Sequence, residues 1–119
     1  TILSMEPNTE VLVLEMGMDR PGQLHALSTL AEPDVAVITM IGEAHIEFFK
    51  TRDKIADAKM EITDGLKDDG TFIFNGDEPL LQERAKKITQ ERILKIRYLP
   101  IQSAGIVTTL SSQLKLGLI

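Results

Sequence analysis

Val11, Leu12, Val13 and Leu14 form a short apolar run uninterrupted by any polar residue. Such a run suits a strand buried on both faces, as in a parallel sheet. Acidic Glu15 follows at once, and Gly17 comes two residues later. In open α/β sheets, ligands bind beyond the carboxyl ends of the strands. A carboxylate at that point is well placed to hold Mg²⁺ beside a nucleotide phosphate. Taken alone, Glu15 could equally end the strand and face water.

The chain beyond this run alternates helical and extended patterns. Pro21 and Gly22 break the chain after MGMDR. Leu24, Leu27, Leu30 and Ala31 then recur at helical spacing, which predicts a helix over Gln23 to Ala31. Val35 to Thr39 reads as a second buried strand, so the two strands and their helix form a βαβ unit with parallel strands. A third helical pattern runs from Asp53 to Leu66, with Ile55, Ala58, Ile62 and Leu66 on its apolar face and Thr51 or Asp53 as its cap. Lys59 lies on or beside that face. Thr71 to Phe74 is a third strand. It ends in NGDEP, where Asp77 is a candidate N-cap and Pro79 fits the first helical turn. Leu81, Ala85 and Ile88 give the next helix its inner face, and Arg92 to Leu99 reads as a fourth strand. In the tail, Gly105 to Leu110 and Leu114 to Ile119 suggest a β-hairpin of the same domain.

Composition narrows the function. The 119 residues suffice for one modest domain, and the net charge of −5 without a Lys/Arg-rich run argues against nucleic acid as a partner. No cysteine is present, which removes disulfides and thiolate chemistry and fits a cytoplasmic protein. No apolar run approaches the ~20 residues of a membrane span. The opening TILSMEPNTE reads as the end of a helix followed by a loop, which predicts that the chain starts inside a larger protein.

With all strands parallel, Glu15, the Gly42–Glu47 loop and the Asn75/Asp77 turn emerge at one edge of the sheet. Carboxylates, an imidazole and an amide then meet where α/β folds bind ligands, which suggests a Mg²⁺-nucleotide site. The stretches EMGMDRPGQL, PDVAVIT followed by IGEAHIE, IADAKMEI and NGDEP carry a resemblance to the central, ATP-binding domain of the Mur ligases. These enzymes form amide bonds in bacterial peptidoglycan synthesis. The resemblance covers Thr1 to Leu99, and residues 100–119 match poorly. It is nearest to the branch that adds D-Ala-D-Ala to UDP-N-acetylmuramoyl-tripeptide.

The resemblance implies a mostly parallel, P-loop-NTPase-like α/β sheet flanked by helices. It also implies ATP and Mg²⁺ as cofactors, and UDP-N-acetylmuramoyl-tripeptide and D-Ala-D-Ala as partners of the full protein. In that chemistry ATP phosphorylates the peptide carboxylate, and the incoming amine displaces phosphate. Residue by residue, Glu15 matches a Mg²⁺ ligand, and His45 matches a loop histidine that helps bind a second metal ion. Lys59 matches a lysine that is carbamylated by CO₂. Asn75 matches a residue that reads adenine, and Asp77 belongs to the same nucleotide motif.

Four departures stand against this pattern. Met40 occupies a position where the family often has Asn. Lys50-Thr51 stand where Gly-Ser is common. The phosphate loop, with its strand and helix, is absent and would precede Thr1. The N- and C-terminal domains are likewise missing, so this chain alone is expected to be inactive. Competing readings are another Mur or folylpolyglutamate-type ligase, and a non-catalytic α/β binding module. Each site residue also has a plain role open to it. Lys59 could carry its charge from an apolar face to water, Asn75-Gly76 is a common turn pair, and Arg84, Lys86 and Lys87 read as a solvated helix face.

Overall fold

The computed structural model of the protein describes residues 2–88, 92–96 and 115–118. Five strands form one sheet: β1 (Leu12–Glu15), β2 (Val35–Ile38), β3 (Thr71–Asn75), β4 (Arg92–Ile96) and β5 (Lys115–Leu118). Their order across the sheet is β1-β5-β2-β3-β4, and every pairing is parallel. Among the described residues four helices flank them: α1 (Gln23–Ala31), α2 (Ile46–Phe49), α3 (Arg52–Met60) and α4 (Pro79–Ala85). A 3-10 turn, Glu61–Thr63, extends α3.

The centre of the sheet is the β2–β3 pair, where Ala36 lies beside Phe72 and Ile38 beside Phe74. Phe72 and Phe74 are fully buried and stack with ring centroids 5.3 Å apart. Against this face pack Leu24 and Ala31 of α1, Ile55 and Ala58 of α3, Ile62, and Leu81 and Ala85 of α4. The helices that bury this face are what the apolar periodicity of the sequence encodes.

Some expectations are corrected by the packing. Among the described residues β1 lies at the edge of the sheet beside β5, and Val13 is 53% exposed, so its apolar run does not mark burial on both faces. In α1 the buried stripe is Leu24, Ser28 and Ala31, while Leu30 is exposed and Leu27 largely so. The reason is polar. Ser28 Oγ donates to the Ile62 carbonyl and accepts from Gly65 N–H at 3.0 Å, which turns that side of α1 toward the end of α3. Glu78, not Asp77, caps α4, its carboxylate accepting from Leu80 N–H at 3.3 Å with Pro79 next in the first turn. Thr51 caps α3, accepting from Lys54 N–H at 3.2 Å. Arg84 is no solvated side chain: it is 14% exposed and bridges Asp57 and Asp53 of α3. Burial would lower its pKa, but the two carboxylates outweigh that and raise it. The helix α2 was not expected from the sequence.

In the tail, β5 has β1 on one edge and β2 on the other, both parallel. The other half of the expected hairpin, Gly105 to Leu110, lies outside the described residues, as do residues 97–99 of the fourth strand.

Two backbone positions yield predictions. Lys50 sits at φ 69°, which L residues other than Gly adopt at a cost. Lys50→Gly is expected to stabilise the protein by about 1 kcal/mol in urea denaturation; an unchanged or lower midpoint would contradict this. A Cβ on Gly65 would lie 2.1 Å from the Ser28 carbonyl oxygen, a backbone atom that cannot yield. Gly65→Ala is therefore expected to cost about 3 kcal/mol by the same measurement.

Candidate functional site

Because the strands are parallel, the segments following β1, β2 and β3 leave the sheet at the same edge. Glu15 is the last residue of β1 and is exposed. Its carboxylate makes no hydrogen bond or ion pair among the described residues. The chain then folds back onto α1. Gln23 Oε1 accepts from Asp19 N–H at 2.7 Å and from Arg20 N–H at 3.1 Å, closing the MDRPG turn. Gly22, at φ 87°, supplies the left-handed residue that starts α1.

The amino end of α1 is held by a distant carboxylate. Glu61 accepts from Gly22 N–H through both oxygens, at 2.8 and 2.9 Å, and from His25 N–H at 3.2 Å. A carboxylate there satisfies free helix N–H groups and complements the positive end of the helix dipole. His25 Nδ1 lies 2.8 Å from Asp64 Oδ2, within hydrogen-bond distance. The β1–α1 loop is thus tied to the end of the helix that carries Lys59.

After β2, the chain enters the loop Thr39–His45. His45 lies at φ 63° and opens α2. Its ring sits 6.4 Å from that of Phe48 and faces a cavity of about 570 Å³. Gly17, Met18 and Asp19 line the same cavity, with Gln23, Ala26 and Leu27 of α1. The fold therefore brings His45 to the residues that follow Glu15. Asp19 Oδ1 is buried there without a hydrogen-bond partner, its nearest cation being Arg20 Nε at 3.9 Å.

Lys59 reaches this edge from α3. Its Nζ donates to the Met40 carbonyl at 2.8 Å. The Met40 side chain is 58% exposed, so position 40 meets Lys59 through its backbone. Burial lowers the Lys59 pKa below the ordinary lysine value. The cause is loss of hydration of the charged form, which leaves more neutral, nucleophilic amine at a given pH. Seven residues earlier, Arg52 Nη2 donates to the Ile41 carbonyl at 3.0 Å and to Glu78 Oε2 at 2.8 Å. Neither Arg52 nor Glu61 stands out in the sequence. The available signal was spacing: Arg52 and Lys59 are two helical turns apart and share a face.

After β3, Asn75 Oδ1 accepts from Asp77 N–H at 2.9 Å, closing an Asx turn. Gly76 N–H donates to the Ile96 carbonyl at 2.7 Å, pinning the turn to β4. This leaves the Asn75 amide NH₂ as the group able to donate to a bound ring.

A sequence model of the Mur ligase middle domain matches residues 1–111. The chain belongs to the Mur ligase family. Over 82 residues, 69% of this chain, it is 57% identical to the UDP-N-acetylmuramoyl-tripeptide--D-alanyl-D-alanine ligase of Bacillus subtilis (strain 168), of which that stretch covers 18%. It is 33% identical to the Mycobacterium leprae (strain TN) ligase of the same name over 81% of this chain and 18% of that protein. For the Synechocystis sp. ligase of that name, identity is 33% over 79% of this chain and 21% of that protein. The chain thus spans about a fifth of the length of these relatives.

Two further observations bear on what this Mur ligase piece can hold. Among the described residues, no group of three or more His, Cys, Asp or Glu side chains is arranged to bind a metal ion. Mg²⁺ needs no such cage, since it keeps several waters and takes one or two carboxylates together with substrate phosphate. An unengaged Glu15 at the strand end, next to the His45 cavity, fits that mode. No helix among the described residues is long and apolar enough to cross a membrane.

The burial of Lys59 has a measurable consequence. A lysine whose folded pKa lies below its unfolded pKa makes the unfolded chain bind more protons between the two values, so stability rises with pH there. The window lies below 10.5, the unperturbed value, and above the lowered one. Lys59→Met is expected to flatten the stability–pH curve in that window, read by urea denaturation across pH. A slope equal to the wild type would show that Lys59 titrates normally.

Proposed function

We propose that the protein carrying this chain is an ATP-dependent amide ligase of peptidoglycan precursor synthesis. Its reaction joins D-Ala-D-Ala to UDP-N-acetylmuramoyl-tripeptide, with carboxylate activation by ATP. The observation that carries this reading is the 57% identity, over 82 residues, to the Bacillus subtilis ligase of that name. In this reading residues 1–99 are part of the ATP-binding domain, and residues 100–119 are a tail of the same domain. A nucleotide-linked substrate assigns the work to the cytoplasm. Substrate selection rests largely on parts of the protein outside this chain.

The residue roles in this reading follow from chemistry. Glu15 would hold Mg²⁺ and His45 would help hold a second metal ion, and such ions would supply charge neutralisation beside the phosphates. Phosphoryl transfer depends mostly on such positioning and charge neutralisation. Asn75 reads the adenine ring through its free amide NH₂, with Asp77 in the same turn. Lys59 is the carbamylation site. The ammonium first loses one proton; the neutral amine then attacks CO₂, a C–N bond forms as one C–O π bond opens, and a second proton leaves, so the cation becomes a carbamate anion. The lowered pKa of Lys59 supports this role, because only the unprotonated amine reacts.

The non-catalytic reading draws on Met40, whose thioether is no ligand for a hard cation. The two readings separate in the full-length protein. Phosphate release from ATP is expected only when both UDP-N-acetylmuramoyl-tripeptide and D-Ala-D-Ala are present, and Glu15→Ala should lower it by about 10²-fold or more. With ¹³C-bicarbonate, a carbamate carbonyl resonance should be present in the wild type and absent from Lys59→Arg. A wild type that neither binds Mg·ATP nor releases phosphate would favour the binding module.

A further inference from the structure

We propose that Arg52 is a positioning residue that locks the nucleotide loop after β3 to the loop after β2. This inference rests on reading the chain as part of an ATP-dependent ligase. One guanidinium nitrogen, Nη2, donates to the Ile41 carbonyl at 3.0 Å and to Glu78 Oε2 at 2.8 Å. Ile41 is buried and begins the stretch that leads to His45. Glu78 directly follows Asp77, and its second oxygen accepts from Leu80 N–H to cap α4. Arg52 therefore joins three segments, separated by 11 and 26 residues in sequence, at the edge where the nucleotide binds.

An exposed ion pair contributes little by itself. This one differs on the acid side: the Glu78 side chain is only 12% exposed, against 44% for Arg52. Glu78 is held by its capping bond, and Ile41, in the loop three residues beyond β2, is anchored by its buried side chain. Both bonds leave Nη2, whose two N–H donors form a fork fixed in the guanidinium plane and so suit two acceptors at once.

The neighbouring hold depends on the state of Lys59. As an amine, Lys59 grips the Met40 carbonyl while Arg52 grips the next one, Ile41. Carbamylation replaces the ammonium donors of Lys59 with an anionic group bearing one N–H. The grip on Met40 then weakens, and Arg52 becomes the tether from α3 to this loop. Arg52 would thus keep the His45 loop and the adenine turn in register in the carbamylated, active form.

The test uses the full-length protein with Arg52→Ala, Arg52→Lys and Glu78→Gln. Arg52→Ala is expected to raise KM for Mg·ATP about fivefold or more, with KM for D-Ala-D-Ala unchanged. Arg52→Lys, which restores the charge but not the fork, should fall between it and the wild type. Glu78→Gln keeps the cap and should raise the same KM by less. Variants that merely fold less well would lose turnover in proportion to the folded fraction and leave both KM values alone. KM for Mg·ATP within twofold of the wild type in both Arg52→Ala and Glu78→Gln would overturn the proposal. Hydrogen exchange gives an arm independent of activity: amides of 42–45 and 75–78 should both exchange faster in Arg52→Ala. Acceleration in one loop alone, or in neither, would count against the coupling. A wild type without ATP turnover would refute the ligase reading, and the exchange result would still decide whether Arg52 couples the loops.

Discussion

The parallel pairing of β2 with β3 is the constraint on which the rest depends. It places Ala36 beside Phe72 and Ile38 beside Phe74, making one apolar face. The helices α1, α3 and α4 must cover that face, and so must run back across the sheet between strands. Covering it fixes where the chain can turn. Every strand then ends at the same edge, and each chemically suggestive residue of the sequence follows a strand end or reaches one from a helix.

What refines the edge is a second layer of polar contacts, all made by α3 and its extension. Lys59 and Arg52 hold consecutive carbonyls of the β2–α2 loop, and Glu61 holds the start of α1. Arg84 binds α4 to the exposed carboxylates of Asp53 and Asp57. One nine-residue helix is thus tied to three neighbouring segments. This explains why it contributes both buried apolar residues and charged ones: Ile55, Ala56 and Ala58 face the core, while its cations reach past the core to the loops.

The placement of several candidate residues was legible in the chain. Glu15, the loop of His45 and Asn75 follow from parallel topology, while Lys59 reaches the same edge from α3 through its bond to the Met40 carbonyl. Their detailed relations were not legible. His45 shares a cavity wall with Gly17 to Asp19, whereas Asn75 spends its oxygen on its own turn. Met40 meets Lys59 by its carbonyl, a contact that residue identity cannot reveal since every residue has one. Arg52 and Glu61 do not stand out in the sequence, and Arg84 reads there as solvated, because charged side chains on a helix surface look alike until their partners are known.

The elements themselves were set by the sequence. The helix Gln23–Ala31, the strand beginning at Val35 and the strand beginning at Thr71 follow from apolar period, breakers and caps, which are local properties of a few adjacent residues. Tertiary structure alone decided the rest. It left β1 at the edge with Val13 half exposed, inserted β5 between β1 and β2, and buried Ser28 in place of Leu27 and Leu30. It also gave Arg52 and Glu61 partners up to 39 residues away. These outcomes depend on which surfaces meet, and a hydrogen bond between distant segments leaves no periodic mark on either one.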